Sequence, residues 1–189
     1  MAPATGSSVR NSTATKSETP ADRIRSMAHE AGFDLVRFGP ADTGADGPRF
    51  LEWLQAGRAA GMDYLARNQD RIADPRRFLD GARSTIALAQ DYGGPATALA
   101  DGRGRIARYA RGRDYHRSLG KATKRLRADL EREGLLRGAT KCGTDAVPVL
   151  ERALAARAGI GFVAKSAGVI SPELGPYLLL SELVTTEEL

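Results

Sequence analysis

Ala139-Thr140-Lys141-Cys142-Gly143-Thr144-Asp145-Ala146-Val147-Pro148-Val149-Leu150-Glu151-Arg152 is the stretch on which the reading of this chain turns. Residues 139–143 read as a short strand that delivers Asp145 at or just beyond its end. Pro148 suits the first turn of a helix, because its fixed φ is helical and its missing N–H is one that a helix start leaves unpaired anyway. Leu150, Ala153, Leu154 and Arg157 continue that helix. A strand, an acid and a helix in this order put a carboxyl group on a loop beside a strand end, where side chains often point into clefts. Burial against an apolar ligand would raise its pKa and a nearby arginine would lower it, so its use as an acid depends on surroundings. The competing reading of Asp145 is an N-terminal capping carboxylate for the 148–158 helix.

Working upstream, the segment Arg105 to His116 sets Arg105, Arg108, Arg111 and Arg113 among small residues and the tyrosines Tyr109 and Tyr115. Guanidinium forks suit phosphate and the tyrosines could pack against a planar ring; a charged surface loop is the alternative. The charge of the whole chain is +5, and it is unevenly placed. Residues 101–141 carry 13 basic and 5 acidic side chains, whereas 1–100 are balanced at 12 each and 142–189 carry 3 and 6. A positive excess confined to one segment favours a directed anionic partner, with a solvated helix face rich in arginine as the alternative. No nucleic-acid-binding motif is present to name that partner.

The rest of the chain supplies a scaffold. Residues 1–18, rich in Ser, Thr, Ala and Pro, read as a disordered leader. Thr19-Pro20-Ala21-Asp22 starts a helix continued by Ile24, Met27, Ala28 and Ala31 and ended by Gly32. Residues 33–38 suggest a strand, and Phe50, Trp53 and Leu54 an apolar stripe on a short helix. Met62, Tyr64 and Trp53 read most simply as core. A short helical element follows at 62–68 and another begins at Asp74-Pro75. Ile86-Ala87-Leu88-Ala89 predicts a strand covered on both faces. Residues 93–104 read as a glycine-rich excursion. Tyr115, Leu119, Ala122, Leu126 and Leu130 recur at helical spacing and predict a helix over 114–132. Residues 162–170 read as extended, 171–176 as a turn, and 177–184 as a last helix.

Several chemistries are excluded or weakened. No run approaches the length of a membrane-spanning helix, and the N-terminus lacks the apolar core of a secretory signal. One cysteine, Cys142, cannot hold an iron–sulfur cluster, which takes about four. His29 has no ligand pattern near it, so no protein-built metal site is expected. Gly159-Ile160-Gly161 follows a helix and lacks the third glycine of a dinucleotide loop; these glycines would let backbone approach a bulky ligand. Lys165 could contact that ligand's phosphate. His116 reads as a capping or packing residue, with a functional role as the alternative.

Taken together, Arg108-Tyr109-Ala110 through Gly112, Asp114-Tyr115-His116, Asp145 with Pro148-Val149 and Glu151-Arg152, then Ala158 to Phe162 and Lys165, resemble the epoxyqueuosine reductase family. Trp53-Leu54, Gly61-Met62, Tyr64-Leu65 and Tyr92 fit the same pattern. The resemblance covers residues 20–186. It implies an α/β (α+β) fold with a central mixed sheet flanked by helices, like nitroreductase-like cobalamin-handling domains. Residues 19–186 would be the family's N-terminal domain and 187–189 the start of a ferredoxin-like domain that this chain lacks.

The implied activity is reduction of epoxyqueuosine to queuosine at the anticodon of tRNA, with cobalamin and 4Fe–4S clusters, the latter only in the missing domain or a partner. By motif Asp145 is the proton donor. Arg67, Arg108, Tyr109, Lys165 and Val169 fall to the cofactor, and Arg111, Arg113, Tyr115 and His116 to the substrate. A cytoplasmic protein with a separately encoded ferredoxin-like half or another electron donor is expected. The alternatives are a non-catalytic cobalamin- or RNA-binding remnant and a small-molecule corrinoid or flavin reductase. The chain departs from the family pattern at Ser166, Pro176 and Ser181, where a polar contact shortens, a backbone donor is lost, and bulk is added in place of glycine.

Overall fold

The last strand of the chain lies in the middle of the sheet. In the computed structural model, which describes residues 18–95, 104–145 and 147–189, the strands β1 (Leu35–Pro40), β2 (Ser84–Asp91), β3 (Thr140–Gly143) and β6 (Leu178–Thr185) form one sheet in the order β1-β2-β6-β3. A small hairpin, β4 (Phe162–Val163) and β5 (Val169–Ile170), stands apart. The expected sheet flanked by helices is therefore present; its three ladders are all antiparallel, where a mixed sheet was expected. The last helix expected over 177–184 is corrected to strand β6. Its Leu-Leu-Leu-Ser-Glu-Leu-Val run is covered on both sides of the sheet, and a short continuous apolar run has the same pattern in a buried helix and a buried strand.

Helices cover both faces. On one, α1 (Pro20–Glu30) and α6 (Tyr115–Arg132) seal Val36, Ile86, Leu88 and Leu183 under Ile24, Met27, Leu126 and Leu130. Thr19 and Asp22 close a reciprocal capping box at the start of α1. Asp114 caps α6 through the His116 N–H. Ser181, the bulk expected to disturb this region, is buried and satisfied: its hydroxyl bonds the Gly143 carbonyl at 2.5 Å and lies 2.7 Å from Thr123 Oγ1 and 2.9 Å from Thr144 Oγ1.

On the opposite face sits α7 (Glu151–Ala158), which packs Ala155 and Ala158 against Ala87, Ala89 and Leu35. Small side chains let the helix approach closely, and a Cβ built on Gly39 would stand 2.8 Å from the Ala158 Cα. The helix begins at Glu151, later than Pro148 suggested. Gly159 ends it with φ +87°, a left-handed turn that glycine adopts without a Cβ penalty. Gly161 has a different purpose from the one expected. A Cβ there would meet the Ile170 carbonyl oxygen at 2.1 Å, so the close approach is to the chain's own hairpin.

Between β1 and β2, four short helices fold over one end of α7: α2 (Asp46–Gln55), α3 (Asp63–Arg67), α4 (Gln69–Ala73) and α5 (Pro75–Phe78). Trp53, Met62 and Tyr64 do not enter the core. Met62 and Tyr64 are exposed, and all three face a wide cavity. The expected leader, apart from Glu18, and residues 96–103 of the glycine-rich excursion lie outside the described residues. Among the described residues no helix is long and apolar enough to cross a membrane.

Candidate functional site

Asp145 follows β3 by two residues and takes φ +51°, a left-handed conformation rare for a residue with a side chain. The Leu150 position that precedes α7 receives no side-chain cap, so the capping role considered for Asp145 does not apply. The carboxyl instead meets the start of α6. Tyr115 Oη donates to Asp145 Oδ2 at 3.0 Å, and His116 Nε2 makes a short contact with the same oxygen. His116 Nδ1 is 2.7 Å from Asp114 Oδ1. A carboxyl oxygen faces each ring nitrogen, an arrangement that favours the imidazolium form. Its pKa is raised accordingly, first by the Asp114 hydrogen bond and then by Asp145. Tyr115 stacks on the imidazole with ring centroids 4.0 Å apart, and its hydroxyl is pushed up to about 12 by burial and by the bond to Asp145. It stays protonated and donating throughout the physiological range.

Two cavities converge on this carboxyl. The larger, about 1260 Å³, runs from Asp145 and the 147–153 segment to Phe50, Trp53, Met62 and Tyr64. The smaller, about 320 Å³, lies between Tyr92, Tyr115, the 166–169 turn and Leu178–Leu180. Asp145, Glu151, Arg152 and Ala167 line both. Arg152 is held by its bond to the Ala167 carbonyl at 2.8 Å, and Glu151 is driven upward in pKa by burial and by the charge of Asp145.

The other expected site residues divide. Val169 is buried and lines the smaller cavity. Arg108 stacks its guanidinium 4.9 Å over Tyr177, which meets Tyr92 edge-on at 5.6 Å, and bonds the Pro95 carbonyl. Tyr109 is exposed and meets the Tyr115 ring edge-on at 6.2 Å. Arg111 turns back to the Ile106 carbonyl, and Arg113 is exposed on the same approach. Arg67 and Lys165 are exposed and line neither cavity. Missing from the expected set were Glu151 and Arg152, although they stand in the quoted motif, and Glu182, whose signal was one acid inside an apolar run. Among the described residues no group of three His, Cys, Asp or Glu could hold a metal ion.

The family described as Epoxyqueuosine reductase QueG, DUF1730 matches residues 72–146, which include α6, β3 and Asp145. A curated epoxyqueuosine reductase of Gloeobacter violaceus is 37% identical over 177 residues, covering 89% of this chain and 53% of that protein. The structure of epoxyqueuosine reductase from Streptococcus thermophilus superposes with a TM-score of 0.76 at 31% identity, over 88% of this chain and 46% of that one. Over most of its length the chain is similar to epoxyqueuosine reductases. An epoxyqueuosine reductase crystallised with an epoxyqueuosine-modified tRNA-Tyr stem loop also superposes, with a TM-score of 0.71 at 26% identity, over 88% of this chain and 45% of that one. The chain spans about half the length of the epoxyqueuosine reductases it matches.

Proposed function

We propose that this chain is the cobalamin-side part of an epoxyqueuosine reductase, which reduces epoxyqueuosine to queuosine in tRNA with Asp145 as the proton donor. The observation that carries the reading is the placement of one carboxyl, held by Tyr115 and His116, where a wide cavity meets a narrow one. A cavity of about 1260 Å³ exceeds the roughly 300–1,000 Å³ of drug-sized sites and suits a ligand as broad as a corrin ring. Its apolar wall of Phe50, Trp53, Met62 and Val149 would pack against the ring, and Arg152 and the 166–169 turn would meet its polar margin.

Bound there, cobalamin supplies the reducing chemistry; the chain places it and handles protons. Both donors to Asp145 fall on Oδ2, so a proton carried by this carboxyl resides on Oδ1. Tyr115 and His116 fix the plane of the carboxyl, and Asp114 fixes His116. Loss of the epoxide oxygen as water consumes protons at the departing oxygen, and Asp145 Oδ1 delivers one. Electrons would be supplied by 4Fe–4S clusters of a separate ferredoxin-like half or by another donor. The exposed face of α6, with Arg117, Lys121 and Lys124, offers phosphate contacts to the tRNA, and Arg111, Arg113 and Tyr109 extend that surface toward the cavity.

The test combines binding and turnover. Purified chain titrated with cobalamin should show the visible absorption of bound corrinoid, and Trp53→Ala should weaken it. Completed with the cluster-bearing half, Asp145→Asn should retain cobalamin and lose reduction by about 10²-fold or more. Unchanged turnover in Asp145→Asn would remove Asp145 from the role of acid.

A further inference from the structure

Strand β3 ends where the site begins. Its ladder with β6 runs from Thr140 opposite Thr185 to Gly143 opposite Glu182. One step further the chain leaves the sheet, so Thr144 forms no rung with Ser181, the β6 residue it would face. A side chain takes the place of that rung. Ser181 Oγ donates to the Gly143 carbonyl at 2.5 Å and lies 2.9 Å from Thr144 Oγ1. The next residue is Asp145, in the left-handed conformation. Such a conformation, in a residue with a Cβ, persists only where the surrounding structure imposes it.

The grip on this turn is buried and tied to α6. Ser181 is 2% exposed, and Thr123 of α6, fully buried, places Oγ1 2.7 Å from Ser181 Oγ and 2.9 Å from the Leu119 carbonyl. A hydroxyl carries one proton and two acceptor lone pairs. Donation to Gly143 leaves Ser181 two lone pairs, one for each threonine hydroxyl, so its whole capacity is engaged. Tyr115, Leu119 and Thr123 stand four residues apart and share one face of α6. The helix thus holds the Asp145 turn twice, at the carboxyl through Tyr115 and His116 and at the backbone through Ser181. Glu182, the next residue on β6, lies on the α7 side with Leu180 and Val184, where burial raises its pKa to about 8. It takes no part in these bonds.

We propose that Ser181 is a positioning residue: its hydroxyl locks the 143–145 turn so that the Asp145 carboxyl meets Tyr115 and His116. This rests on Asp145 being the acid of the site. No bond is made or broken at Ser181. The serine fixes where Asp145 Oδ1 stands when the proton is given, and a displacement of about 1 Å in such a group costs about 10²-fold in rate. Thr140 offers a matched control at the other end of the same ladder. It is buried, and its hydroxyl bonds Thr185 Oγ1 at 3.0 Å and the Gly138 carbonyl at 3.3 Å, both outside the site.

The experiment reads the contact itself, in the folded 189-residue chain, from the pH titration of His116 followed by proton NMR. In the wild type Asp114 and Asp145 face the ring nitrogens, Tyr115 stacks on the ring, and the midpoint lies above the ordinary 6.5. Ser181→Ala should free the turn, weaken the Asp145 contact and lower that midpoint. Asp145→Asn removes the charge from that contact outright and sets the scale of the shift. Thr140→Val removes a buried hydroxyl bond of the same kind and should lose stability with the His116 midpoint in place. A serine that serves packing alone would lower stability in Ser181→Ala and leave His116 where it is, and that result overturns the proposal. So does an equal shift in Thr140→Val, which would mean a general loosening of β3.

Thr144→Val takes away a half-buried partner of Ser181. It should also lower the midpoint, and it carries the test if Ser181→Ala does not fold. In the completed enzyme Ser181→Ala should lower kcat by about 10-fold or more at unchanged cobalamin affinity. The titration needs neither cobalamin nor turnover. Full activity in Asp145→Asn would therefore sink the acid reading above and leave this measurement standing.

Discussion

Replacing Glu182 by glutamine should flatten the dependence of stability on pH. In the unfolded chain a glutamate ionises near 4.5, whereas the folded protein keeps Glu182 protonated up to about 8. Between those values the folded state binds the extra proton, so stability falls as pH rises. The contribution is fully present below 4.5 and lost on passing through about 8. Each unit of difference corresponds to about 1.4 kcal/mol, which puts the loss at about 5 kcal/mol over the window. Glutamine keeps the shape, carries no ionisable proton and contributes no such slope. Urea denaturation at intervals from pH 4.5 to 8.5 gives the free energy of each protein. Every other titrating group is common to both and cancels in the difference. The two curves should separate steadily by about 5 kcal/mol, with the wild type losing ground. Curves that stay parallel within about 1 kcal/mol would refute the reasoning, because Glu182 would then titrate alike in both states.

Other perturbations test the frame and the front of the site. His116 should titrate above its ordinary 6.5, and Asp114→Asn should lower it more than Asp145→Asn, since the Asp114 bond is the larger cause; proton NMR of the imidazole reads this directly. Gly39→Ala forces a Cβ against the α7 backbone and should cost about 1–3 kcal/mol in denaturation. Gly120→Ala lies inside α6 with open space around the new methyl and should stabilise by about 0.5–1 kcal/mol. Leu126→Ala empties the fully buried contact between α6 and the sheet and should cost about 2–5 kcal/mol.

Much of the scaffold was legible because its signals are local. The Thr19-Pro20-Ala21-Asp22 cap, the Asp74-Pro75 start and the periodic leucines of α6 are each fixed by neighbouring residues, and the structure places helices there. Strand β6 was not legible, because its five apolar residues, Leu178–Leu180, Leu183 and Val184, show no alternation once both sheet faces are covered. The wall of the large cavity was misread for a related reason. Trp53, Met62 and Tyr64 have the composition of a core, and sequence does not say whether the facing volume is filled. Asp145 was found through its place after a strand. Its link to Tyr115 and His116 spans about thirty residues and depends on how α6 lies across the sheet. Glu182 could have been noticed as the single acid among leucines and valine, the kind of buried charge that rarely occurs without a use.

The position of β6 also governs when the protein can fold as it is made. Its register ties Thr185 both to Ser84 and to Thr140, so it bridges segments completed much earlier. Until residues 178–185 have been synthesised, β1 and β2 can form a ladder but β3 has no edge to join, and the floor beneath α7 stays open. The sheet closes only when β6 emerges. A nascent chain stalled ahead of Leu178 would therefore expose the inner faces of α6 and α7 together, and would be a natural client for chaperones and quality-control proteases.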